Sequence, residues 1–317
     1  MNLPQLNAYL QGLRGVGHKL DIQKVAPAIG TSAVPVGDDC AAIPDGDGYL
    51  LFAIEGLLDE FVAAEPWFAG YCSVMVNVSD ICAMGGRPTA VVDAIWAASA
   101  EKAGPIWDGM HTAATKYGVP IVGGHTNHRS AGDHLAVAIV GRARKLLTSF
   151  DARPGDALVV AIDLRGEWYG PYPYWNASTT VPGDRLRGDL ELLPMIAEAG
   201  LAVAAKDISM GGVVGTTTML AECSGVGVTI DVSRIPMAEG ALREKWLSAF
   251  PSFGFVLAVP QASVAAVVDR FSGRGIAAAA VGTFDDSRTV RLADGAGPSE
   301  LFWDLRRKPF IGFGPAA

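Results

Sequence analysis

Residues 77–88 read Asn-Val-Ser-Asp-Ile-Cys-Ala-Met-Gly-Gly-Arg-Pro and set three polar side chains, Asn77, Ser79 and Asp80, among Val74, Met75, Val76, Val78, Ile81 and Met84. A carboxylate in so apolar a segment needs a partner, because taking its charge out of water without one is costly. Asn77 and Asp80 stand three apart, so on a helix they share a face and address one site. Upstream, residues 37–41, Gly-Asp-Asp-Cys-Ala, offer two adjacent acids, Asp38 and Asp39. Neighbouring carboxylates repel unless a cation or hydrogen-bond donors are supplied. Magnesium, held by one or two carboxylates together with substrate phosphates, answers both stretches at once. A turn whose aspartates cap backbone amides is the plainer alternative for Asp38 and Asp39.

Working outward, Pro66 opens the helix that carries residues 77–84, at the position where proline is favoured, and Gly85, Gly86 and Pro88 end it. Before it, residues 41–43 and 49–54 have strand character and flank a turn at 44–48, the second strand delivering Glu55. After it, residues 90–97 read as a strand, 105–117 as a helix, and 119–122 as a strand running into Gly123, Gly124 and His125. A further strand follows at 134–141. Charge, Pro154 and Gly155 mark a boundary that predicts domains at 1–150 and 151–317. At the start of the chain, residues 4–14 predict an amphipathic helix leading into a glycine-containing arm with Lys19.

The second half opens on an apolar strand at 157–163. Residues 165–188 then read as an aromatic, proline-rich loop with Trp168, Tyr169, Tyr172, Tyr174 and Trp175, suited to stacking on a planar substrate or to a dimer seam rather than to a core. A helix is expected at 190–205. Gly211 and Gly212 precede a helix running to Cys223, whose start offers unbonded amides to an anion; close helix–strand packing is the alternative use of those glycines. Strands follow at 226–232, 253–259 and 277–283, with a helix at 263–271.

The motifs GDDCA at 37–41, NVSDICAMGGRP at 77–88, GGH at 123–125, RPGD at 153–156 and KDISMGGVVGTTTMLAECSGVGVTID at 206–231 recur in the order of a known superfamily. The chain resembles the group containing aminoimidazole ribonucleotide synthetase, thiamine-monophosphate kinase, selenophosphate synthetase and the hydrogenase-maturation dehydratase. The resemblance implies an α/β (α+β) fold of two domains. The N-terminal one would bind Mg2+ and ATP and close a barrel-like interface with a second copy in a homodimer; the C-terminal one would bind phosphate and substrate. It implies metal ligation by Asp38, Asp39, Asp80 and Asp207, with Glu55 where the family usually has aspartate. Cofactor contacts would fall to Asp38, Asp39, Asn77, Asp80, Gly123, Gly124, Gly211 and Gly212. Lys19 resembles a functional lysine of selenophosphate synthetases, although His18 and no cysteine stands beside it. His125, expected with Lys19 to be catalytic because an imidazole is a good acid–base group, stands where several relatives carry an aspartate, and Met210 where kinase-type relatives carry a second one.

Function follows as Mg-dependent, ATP-utilising phosphoryl transfer to, or activation of an oxygen on, a small-molecule acceptor. A non-catalytic nucleotide-binding or scaffold paralogue is the alternative, made credible by Glu55, His125 and Met210; a selenophosphate-synthetase-like phosphotransferase is the second. His125 and His128, three apart, are half of a transition-metal site with no third ligand in view.

Composition narrows the partners. The 317 residues are 50% apolar and 18% charged, which suits two well-buried domains. A net charge of −8 and a pI near 5.1 argue against nucleic-acid and anionic-membrane partners, which need a basic face. The four cysteines form no Cys-x-x-Cys pair, and the first residues lack the basic and apolar regions of a secretory leader, so a cytoplasmic protein with reduced thiols is expected. No apolar run reaches the ~20 residues of a membrane span. Walker, Rossmann and Gly-x-Ser-x-Gly motifs are absent.

Overall fold

The computed structural model describes residues 1–30, 32–295 and 297–315. The chain begins with helices α1 (Leu3–Gln11) and α2 (Arg14–Asp21), then the hairpin β1 (Ala41–Asp45) and β2 (Gly48–Gly56). Next come α3 (Asp59–Ala64), α4 (Pro66–Ala83), β3 (Arg87–Trp96), α5 (Ala100–Tyr117), β4 (Ile121–Asn127) and β5 (His134–Ala143). The second half runs β6 (Ala157–Ile162), β7 (Glu167–Trp168), β8 (Tyr174–Asn176), α6 (Gly183–Leu190), α7 (Leu192–Glu198), β9 (Ala204–Asp207) and α8 (Gly212–Ser224). It closes with β10 (Gly227–Asp231), α9 (Arg243–Leu247), β11 (Phe250–Pro251), β12 (Gly254–Val259), α10 (Val264–Ser272), β13 (Ala277–Asp285), β14 (Thr289–Ala293) and β15 (Glu300–Asp304).

Two units emerge. One spans 39–145 and 179–194; the other takes 1–38, 146–178 and 195–317. The crossing at 145/146 lies near the boundary expected at 150, but residues 1–38 join the C-terminal unit, and the division falls between Asp38 and Asp39.

In the first unit an open sheet has the order β1-β2-β5-β3-β4, antiparallel except for the parallel pair β3 and β4, which α5 connects. Helix α4 is buried along almost its whole length, its apolar residues facing outward on most sides and Ser73, Asn77, Ser79 and Asp80 buried with them. It meets α5 at glycines: a Cβ on Gly70 would lie 2.1 Å from the Ile106 carbonyl oxygen, and one on Gly109 1.9 Å from that of Trp67. One face of the sheet therefore carries the inward residues Leu51, Ala53, Val91, Ile95, Val137 and Ile139. The other face leaves Phe52, Ile54, Val92 and Val122 41–65% exposed. Helix α6 is tied to the end of α5 by Arg187 Nη1, which donates to the Lys116 carbonyl at 2.6 Å.

The second unit holds a seven-stranded sheet ordered β15-β14-β10-β13-β6-β12-β9, whose central strands β6 and β12 are buried at every position. Continuous apolar sequence is what a strand covered on both faces requires. Helix α1 lies along β15, where the side-chain amides of Asn7 and Gln11 donate to the Leu301 and Phe302 carbonyls.

Four expectations change. The arm around Lys19 is the helix α2: Val16 is buried, and Gly15 meets the Met210 carbonyl so closely that a Cβ would sit 1.8 Å from it. Helix α5 begins five residues before Pro105, capped by the Ser99 hydroxyl, which accepts from the Lys102 amide at 3.3 Å. The aromatic loop contains β7 and β8, which pair with β11 in a three-stranded sheet, and its Trp175 is buried among Trp168 and Trp246 at 5.4 and 4.9 Å with Nε1 donating to the Asp163 carbonyl. The helix expected at 190–205 ends with α7; Gly200, at φ +64°, turns the chain into β9.

Candidate functional site

The buried helix α4 brings one polar face to the first unit's sheet. Residues 73, 77 and 80 lie at helical spacings of four and three, so their side chains project together. Asn77 is fully buried and its Nδ2 donates to the Ser73 carbonyl at 2.7 Å and to the Val137 carbonyl of β5 at 3.0 Å. This staples helix to sheet and engages the amide nitrogen structurally, while Oδ1 is buried with no hydrogen-bond partner.

One turn on, Asp80 is 5% exposed and its carboxylate comes within 4.8 Å of that of Asp39, which is half-buried in the turn leading to β1. Two carboxylates held so close form a site of negative charge that a cation can occupy. Both are hard oxygen donors, which suits magnesium and not a soft metal. No three-membered ligand cluster among the described residues includes His125 or His128.

Strand register adds a row that the motifs do not reveal. Val137 stands opposite Glu55 of β2 on one side and Asp93 of β3 on the other, and Asp93 stands opposite Gly124 of β4. All four belong to the face that α4 covers. Glu55 ends the row exposed, whereas Asp93 is 6% exposed and neither of its oxygens has a hydrogen-bond partner. Burial pushes its pKa up to about 6. Gly124 is glycine because of it: a Cβ there would lie 2.3 Å from Asp93 Oδ2. The signal for Asp93 was legible as a lone acid inside the apolar strand at 90–97.

His125 follows on the opposite face, opposite Ala94 and 5.8 Å from the Trp96 ring, exposed beside the apolar residues of the uncovered surface. The structure does not bring it to the acid row. Gly123 shares that outer register with Val92.

In the C-terminal unit, Asp38 is used internally. Its Oδ2 accepts from the Ser149 amide and its Oδ1 from the Ser149 hydroxyl, each at 2.6 Å, and Lys206 Nζ lies 3.7 Å from Oδ1 with both side chains buried. Charge-assisted bonds of this kind are short and strong. Asp207 ends β9, 5% exposed. Gly211 and Gly212 open α8, and Gly212 is needed on two counts: φ is +63°, and a Cβ would lie 2.1 Å from the Leu247 carbonyl oxygen. Close packing thus explains that glycine without an anion. Lys19 sits one turn beyond Gly15, on the face of α2 that meets Met210. The cysteines are all buried, and burial drives the Cys72 and Cys82 thiols upward, away from nucleophilic thiolate. No helix among the described residues is long and apolar enough to cross a membrane.

A family model described as AIR synthase related protein, N-terminal domain, matches residues 37–143, and the corresponding C-terminal domain model matches residues 177–295. The Synechocystis protein sll0787 is 46% identical over 98% of both chains. The thiamine-monophosphate kinase of Pyrococcus horikoshii is 30% identical over 64% of this chain and 68% of its own. Among solved structures, T. maritima PurL complexed with ATP matches with a TM-score of 0.71 at 18% identity, covering 98% of this chain, which spans half of PurL. AaThiL complexed with AMPPCP and TMP matches with a TM-score of 0.64 at 20% identity, over 86% of this chain and 92% of its own. Those two likenesses show the two-domain α/β fold. Two family models that together match most of the sequence, and a relative 46% identical along nearly all of it, show that the chain belongs to the AIR synthase-related family.

Proposed function

We propose that the protein is a magnesium-dependent, ATP-utilising enzyme that moves a phosphoryl group to, or activates an oxygen of, a small-molecule acceptor. The observation that carries this reading is the Asp39–Asp80 carboxylate pair, held within 4.8 Å by a buried helix and a turn. Relatives of the chain bear the names thiamine-monophosphate kinase and phosphoribosylformylglycinamidine synthase subunit PurL, and the PurL and ThiL structures it matches hold ATP or AMPPCP. Support for the reading comes from both sources.

In this account Asp39 and Asp80 hold magnesium, which when bound offsets charge on the triphosphate. The remaining work falls to the chain. Asp80 stays placed because Asn77 fixes α4 to β5. Glu55 and Asp207 are further acids that turnover requires. Lys19 and the amides opening α8 receive a phosphate. Asp38, already committed to Ser149 and Lys206, orders the backbone next to Asp39 rather than ligating the metal. His125 and the exposed apolar face around Phe52, Ile54, Val92 and Val122 form a seam between two copies, since an uncovered apolar patch on a sheet marks an association surface.

The test is ADP production from ATP with a panel of phosphate acceptors, with and without magnesium. Turnover should need magnesium and fall by at least about a hundredfold in Asp80→Asn, the scale of losing a preorganised charge stabiliser. A folded Asp80→Asn protein with undiminished turnover contradicts the assignment.

A further inference from the structure

Near the end of the chain a cavity of about 330 Å3 lies within the C-terminal unit, of a size to take a small ligand. Arg288, Arg306, Arg307 and Lys308 line it together with the apolar Leu305 and Phe313. Four cations around one cavity run against the charge of a chain that carries −8 overall.

The wall of this cavity is built rather than loose. Glu222 of α8 turns its carboxylate to three successive amides: Oε1 accepts from Phe310 at 2.7 Å and from Gly312 at 3.3 Å, and Oε2 from Ile311 at 2.6 Å. Phe310 and Ile311 are buried. Gly314, at φ +113°, lies against the backbone of the same residue, where a Cβ would come 2.3 Å from the Glu222 carbonyl oxygen. A preformed wall lowers the ordering cost of binding.

The charges are placed differently. Arg306 forks onto Asp304 with both bonds at 2.9 Å, and Arg307 Nε stands 3.5 Å from the same carboxylate. Arg288 Nη2 donates to the Pro315 carbonyl at 2.9 Å, and Lys308 Nζ rides 4.6 Å above the Trp303 ring. Glu222, the one acid among the described lining residues, is engaged by the three amides, and Asp304 by Arg306 and Arg307, so four cations outnumber the acid that lines the cavity. A dianion balances that excess, and a phosphate monoester supplies one with oxygens spaced for arginine.

We propose that this cavity binds a small organic phosphate, its phosphate met by Arg288, Arg307 and Lys308 and its apolar body by Leu305 and Phe313. The site uses neither Asp39 nor Asp80, so it stands or falls apart from the proposed magnesium–ATP function.

The test is calorimetric titration of the full chain with phenyl phosphate, with phenol and benzoate as probes lacking the charge or the dianion. The wild-type protein should bind phenyl phosphate with a Kd of about 1 mM or tighter. The double variant Arg307→Gln, Lys308→Gln should weaken it by roughly tenfold or more, the scale of losing charged hydrogen bonds. Arg307 is 87% exposed, so the variant should keep the wild-type melting temperature and its magnesium–ATP titration. Phenol and benzoate should bind at least tenfold more weakly. Absence of binding up to about 10 mM, equal affinity in the double variant, or equal affinity for benzoate each overturns the proposal. So does a double variant that loses phenyl phosphate and ATP together, because a single phosphate site would then serve both.

Discussion

Asp93 sets a buried carboxylate on the row that also contains Glu55, and its raised pKa makes a stability claim. A carboxyl whose folded pKa lies above its unfolded value stabilises the fold fully below the unfolded pKa, near 4, and that contribution is lost as pH rises through about 6. Removing the charge should therefore help only at the upper end. Asp93→Asn is expected to be more stable than wild type at pH 8 by up to about 3 kcal/mol, with the difference vanishing by pH 4, in urea unfolding followed across that range. A constant difference at all pH values would show that shape and not charge decides. Gly37 makes a sharper steric claim. Its φ is +112°, and a Cβ would lie 2.2 Å from the Phe313 ring, so Gly37→Ala should cost about 2 kcal/mol or more. At this scale the sequence was partly legible. Asp39 and Asp80 are visible as acids out of place, but the commitment of Asp38 to Ser149 depends on a partner 111 positions away. Nor could spacing say that Gly124 is glycine because of Asp93, since that follows from parallel register between two strands separated by a helix.

Among the elements, α4 was legible almost to the residue, because a largely apolar helix opened by proline and closed by glycine admits few readings. The aromatic stretch was not. Strands β7 and β8 are two and three residues long and are completed by Phe250 opposite Tyr174, a pairing that no local pattern announces. Tyr172 and Tyr174 stack at 5.4 Å and 11°, so these rings first satisfy one another. Helix α2 was obscured by its glycines, which read as a flexible arm, whereas Gly15 is there for the close approach to Met210. The uncovered face of the five-stranded sheet yields the element-scale prediction. If that face is the proposed seam, the wild-type chain should run as a dimer and Phe52→Asp with Ile54→Asp as a folded monomer in light scattering coupled to gel filtration. Unchanged mass would mean that the patch is not the seam.

For the whole molecule, the family and the two-part α/β plan were legible because several motifs recur in order over both halves. The division of the chain was harder. Residues 1–38 fold with the C-terminal unit because α1 lies along β15 and Gly37 lies under Phe313, contacts between the two ends of the sequence that composition cannot foretell. What the chain acts on lies outside its motifs, so the central claim is the magnesium–nucleotide site itself. The most direct measurement is calorimetric titration of ATP into the protein with and without magnesium, repeated for Asp80→Ala. The account predicts binding that requires magnesium and is lost in Asp80→Ala while the variant keeps its circular dichroism. Magnesium-independent binding, or binding that survives in Asp80→Ala, would contradict it.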